Sequence, residues 1–122
     1  MQNLKENIIV EKTFRFSLSI VEYTEILETK RKFVLGNQLL RSGSSIGSNV
    51  REAQNAESKN DFIHKMKIAA KEADEFQYWL LLCMHSTSYP SCEQLLSEIE
   101  EIIRILSKII GTSKQKQNSF SN

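Results

Sequence analysis

With 122 residues the chain makes one domain, long enough to bury a core without disulfides or metal. Its apolar and charged fractions (40% and 25%) are those of a soluble globular protein, and one proline with four glycines argues against a turn-rich β architecture. Cys83 and Cys92 form no CxxC pair and are too few for a disulfide framework, so reduced thiols and a cytoplasmic protein are expected. The run from Ile8 to Val10 is too short for a secretory signal. The longest apolar run, residues 78–84, falls short of the roughly 18 needed to span a bilayer, so no membrane partner is expected.

The first predicted helix runs from about Asn7 to Glu28. Phe16, Ile20, Tyr23 and Leu27 recur on one face, and Phe14, Leu18 and Val21 are expected to widen it. A basic link around Lys30 and Arg31 leads to a second helix from about Lys32 to Gln54. Its core stripe is Leu35, Leu39, Ser42, Ile46, Val50 and Ala53. Ser58 reads as the N-cap of a third helix from Lys59 to about His85, with Asp61 at the third position. Phe62, Met66, Ala69, Ala73, Phe76 and Leu80 form its core stripe.

A turn from Ser86 to Pro90 follows. Ser91 with Gln94 reads as a capping box for the fourth helix. Leu95, Ile99, Ile102 or Ile103, Leu106 and Ile110 give it a core stripe, and Gly111 marks its stop. Short links make consecutive helices antiparallel neighbours. The expected fold is all-α: an up-down-up-down antiparallel four-helix bundle over residues 1–111, then a disordered polar tail over residues 112–122.

Three features exceed what a plain bundle needs. Gly36, Gly43 and Gly47 project within about 20° of one line on the second helix, where each interior glycine costs roughly 1 kcal/mol relative to alanine. Close approach of another helix would offset that loss, either inside the subunit or from a neighbouring one. On the same helix Ser42, Ser45 and Asn49 need hydrogen-bond partners if buried, and Asn49 is expected to bond across to another helix.

On the third helix, Ile68, Glu72, Glu75, Trp79 and Leu82 share a roughly 80° sector away from its core stripe. Large apolar side chains grouped on a surface mark a partner, and Arg41 is the candidate to meet the two carboxylates across the contact.

Charge is the third feature. Residues 30–71 carry a net +6 and residues 72–101 a net −7. The topology gathers Arg51, Lys59, Lys65, Lys67 and Lys108, with Lys12 and Lys114, at one end, and Glu93, Glu98, Glu100 and Glu101 at the other. A ring of aligned copies would multiply that basic face.

No catalytic residues, cofactor or metal ligands emerge. His64 and His85 have no spacing that links them to Ser45, and Glu72 with Glu75 forms Glu-x-x-Glu rather than the Glu-x-x-His of di-iron bundles.

The succession Gln38, Leu39, Leu40, Arg41, Ser42, then Ser45, Ile46, Asn49, Val50, then Asp61, Phe62, then Ala69, Glu72, Ala73, Glu75, Tyr78, Trp79 and Leu80 resembles a known family. Its members are bacterial four-helix-bundle proteins encoded in intervening sequences of large-subunit ribosomal RNA genes, together with their chromosomal relatives. The resemblance covers roughly residues 7–111. It implies a ring-like homopentamer without enzymatic activity, similar to the accessory variability proteins of retroelements, which engage nucleic acid and a reverse transcriptase through a basic surface. Ala53 departs from the family's Asn-Ile-x-Glu-Gly pattern.

The chain thus reads as a homo-oligomeric scaffold whose expected subunit contact comprises Gly36, Arg41, Gly43, Gly47, Ile68, Glu72, Glu75 and Trp79. Its nucleic-acid candidates are Arg51, Lys59, Lys65, Lys67 and Lys108. Two kinds of further partner stay open: structured RNA or DNA on the basic face, or a partner enzyme held without nucleic acid.

Overall fold

The computed structural model describes residues 4–121, with side chains described over residues 8–118. Helix α1 spans Leu4–Thr29, α2 Phe33–Ala53, α3 Lys59–His85 and α4 Glu93–Ser121. Each helix packs on its neighbours in chain order, and α4 closes the ring against α1. The result is the all-α, up-down-up-down antiparallel bundle expected. Diagonal helices meet through side chains at its centre, where Phe16 and Phe76 pack edge to face with ring centroids 5.2 Å apart.

The core follows the helical stripes. Phe16, Ile20, Tyr23 and Leu27 are buried on α1, with Ile9 and Thr13 extending the line. Thr13 is tolerated there because its hydroxyl donates to the Ile9 carbonyl at 2.8 Å. Leu39, Ser42, Ile46, Val50 and Ala53 on α2, and Leu95, Ile99, Ile102 and Leu106 on α4, are buried as expected. Leu35 and Phe62 are half-buried, and Ile63 is buried beside Phe62.

Phe14, Leu18 and Val21 do not widen the core face of α1; all three are exposed. At 100° per residue they project roughly 150° from the Phe16–Leu27 stripe, so they form a second apolar stripe on the outside.

The turn after α1 is a Schellman motif built on a non-glycine residue. Arg31 has a φ of 61°, Arg31 N–H donates to Glu28 O at 2.9 Å, and Lys32 N–H donates to Leu27 O at 2.8 Å. At α3 the expected cap forms: Ser58 accepts from Asp61 N–H at 3.0 Å, and Glu57 N–H donates back to the Asp61 carboxylate. The start of α4 differs from the expected Ser91–Gln94 box. The helix begins at Glu93, with Cys92 O accepting the first helical bond from Leu96 N–H.

Nor does Gly111 stop α4. The helix continues to Ser121, and Ser113 is buried seven residues after Leu106, which prolongs the core stripe by two turns. Asn122 lies outside the described residues, as do residues 1–3.

Candidate functional site

The glycine line of α2 faces α1. A Cβ on Gly43 would lie 2.3 Å from Ile20 Cδ1 and 3.1 Å from the Phe76 ring. One on Gly47 would lie 3.3 Å from Thr13 O, and one on Gly36 would lie 3.7 Å from Leu27. The close approach is therefore made within one chain. Gly36 and Gly43, expected at a subunit contact, are buried inside the bundle. Gly47 is half-exposed and forms part of a surface groove between α1 and α2.

That groove has a volume of about 580 Å³ and is lined by Val10, Glu11, Phe14, Ser17, Ser44, Gly47, Ser48 and Arg51. Its serines are satisfied by their own helices. Ser17 donates to Thr13 O at 3.0 Å, Ser44 to Leu40 O at 2.7 Å and Ser48 to Ser45 O at 3.2 Å. Glu11 is held by Arg15 at 2.8 Å. What remains is an apolar trough lined by Phe14, which is 59% exposed, and bordered by Arg51. The sequence carried the signal for it: Phe14, Leu18 and Val21 stand at i, i+4 and i+7 on a stripe opposite the core.

On its other side α2 meets α3 through Arg41. The guanidinium bonds Gln38 on its own helix, Glu72 at 3.3 Å, and Glu75 across the seam. The pairing of Arg41 with both carboxylates is as expected, but it joins two helices of one chain rather than two subunits. Ile68, Glu72, Glu75 and Trp79 are all half-buried along this sector. Trp79 packs against the core edge and edge-on to Tyr78, with centroids 5.3 Å apart. Its indole N–H is sealed from solvent without a hydrogen-bond partner among the described residues. Asn49 does not reach another helix either; its amide donates to Ser45 O at 2.8 Å on α2 itself.

The basic candidates are distributed over several seams. Arg51 borders α1, Lys65 pairs with Glu52 of α2 at 3.8 Å, and Lys67 is exposed on α3. Lys59 sits over the Phe62 ring, and Lys108 is exposed on α4. Lys67 is the neighbour that holds the Lys114 amine below the ordinary lysine value. Glu101 does not join an acidic end: it lies eight residues into α4 and bonds Lys12 of α1 at 3.0 Å.

A buried cluster that sequence reading missed lies under the Ser86–Pro90 turn. Tyr23 donates to Pro90 O at 2.9 Å, and the Cys92 thiol points to Leu80 O at 3.8 Å. Burial first, and then Cys92, push the Cys83 thiol up to about 11, so it stays protonated at neutral pH. Only its place beneath a proline turn, visible once folded, brings these groups together.

Among the described residues no three His, Cys, Asp or Glu side chains gather as a metal site, and no helix is long and apolar enough to cross a membrane.

Comparison with known proteins agrees with this architecture. The family model of the 23S rRNA-intervening sequence protein matches residues 5–108. The crystal structure of a protein of unknown function from the S23 ribosomal protein family of Bacteroides thetaiotaomicron superimposes with a TM-score of 0.83 at 42% identity, covering 88% of this chain and 99% of that one. No curated protein matches the chain.

Proposed function

For a chain that belongs to the 23S rRNA-intervening sequence protein family, we propose the role of a non-enzymatic cytoplasmic scaffold that works as an assembly of identical copies. One observation carries this reading: the outer stripe of α1, Phe14, Leu18 and Val21, lies uncovered beside an apolar groove. Contiguous apolar surface of this kind marks a protein contact. The groove lends no support to catalysis. Its serines donate to helix carbonyls, and no histidine or cysteine lines it to serve as base or nucleophile. Sedimentation equilibrium at micromolar concentration tests the assembly. Several chains per particle are expected, five on the family resemblance, and a stable single chain at high micromolar concentration overturns the reading.

A second element, binding of structured RNA, is favoured by Lys67 and Lys114. Lys67 holds the Lys114 amine below its ordinary value, and a phosphate bound beside both cations would relieve their repulsion. A gel shift with a structured RNA at low salt is expected to show binding that weakens steeply as salt rises and is lost in a Lys67→Glu, Lys114→Glu double variant. Absence of binding at low ionic strength leaves the protein-only scaffold, whose partner enzyme would then be sought by nuclease-treated pull-down.

A further inference from the structure

We infer that the copies join head to tail, with the α1–α2 groove of one receiving the outer stripe of α3 from the next. The inference rests on the homo-oligomeric reading and names its two surfaces. The groove can bury an apolar partner without orphaning its serines, because each hydroxyl already donates to a carbonyl of its own helix. Its floor is low because Gly47 has no side chain and sits close to Thr13 O. One polar group is left over: Arg51 has no ion pair among the described residues, while neighbouring Glu11 is held by Arg15. An occupant should therefore bring bulky apolar groups and one carboxylate.

The outer side of α3 offers that set. Tyr78 is 58% exposed, and Leu81 and Leu82 are exposed beside it. Asp74, one turn before Tyr78, is exposed and has no ion pair among the described residues. Asp74, Tyr78 and Leu81 stand at i, i+4 and i+7, the spacing by which a helix seats in a groove. Tyr78 projects roughly 150° from the buried Ala73 and Leu80, so the stripe faces away from its own bundle and cannot reach its own α1–α2 groove. A surface whose complement is a different surface of the same chain makes a heterologous contact, and repetition of that contact closes into a ring when the rotation allows.

Sedimentation of wild type, Phe14→Glu and Tyr78→Glu decides the matter, with circular dichroism melts to check folding; both positions are exposed in the single chain. Each variant alone is expected to sediment as one chain. Mixed one to one they should form a dimer and nothing larger, since the first keeps its stripe and the second its groove. Arg51→Asp and Asp74→Arg should each weaken assembly by about tenfold, and the double variant should recover it.

A wild type that stays a single chain overturns the homo-oligomeric reading itself. If wild type assembles and Phe14→Glu and Tyr78→Glu keep its mass, these surfaces are wrong although the assembly stands. A mixture that fails to pair overturns the head-to-tail arrangement. Failure of the double reversal to recover overturns the Arg51–Asp74 match.

Discussion

Toward α1, helix α2 presents Gly36, Gly43 and Gly47; toward α3 it presents Arg41, bonded to Glu72 and Glu75. The first seam is closed by removing side chains until backbone and core atoms touch. The second is bridged by long charged side chains that remain half in water. Steric closure is unforgiving of added volume, whereas an exposed charge clamp adds little stability. One helix thus carries a rigid side and an adjustable side, and the apolar groove lies along the rigid one.

Substitutions that challenge this contrast can be ranked. Gly43→Leu should be the most damaging, lowering stability by roughly 3 kcal/mol or more, since even a Cβ meets Ile20 and the Phe76 ring. Urea titration would show it as a lower midpoint. The same residue type in an open setting should give the opposite sign. Nothing lies within 4 Å of a Cβ on Gly111, so Gly111→Ala should stabilise by about 1 kcal/mol through helix propensity alone.

The turn that sets α1 against α2 offers a gain of similar size. Arg31 holds a positive φ, and Arg31→Gly should relieve about 1 kcal/mol, read as a higher melting temperature. Smallest of all is Arg41→Met at the charged seam. Its side chain is 50% exposed, so the loss should stay within about 1 kcal/mol and shrink further in high salt. A large, salt-independent loss there would erase the distinction between the two seams.

Much of the fold was legible because helical period is a local property. Phe16 through Leu27, Leu39 through Ala53 and Leu95 through Leu106 were readable as core stripes, and Ser58 as a cap, from spacing alone. The candidate contact was less legible. Arg41, Glu72 and Glu75 could be paired from their charges, but spacing does not say whether the partners share a chain. Gly111 shows a similar ambiguity. A glycine near a helix end suits a left-handed stop, yet here the buried stripe runs on to Ser113 and the helix with it.

The amino-acid order by itself determined four helices, their inner faces and their antiparallel succession, because each depends on side chains three or four positions apart. Only the packed bundle decided how far each helix is rotated about its axis. That rotation turned the glycines of α2 inward and Arg41 onto carboxylates of its own chain. It is set by the simultaneous filling of one shared core by four helices, a condition no single stretch of sequence contains.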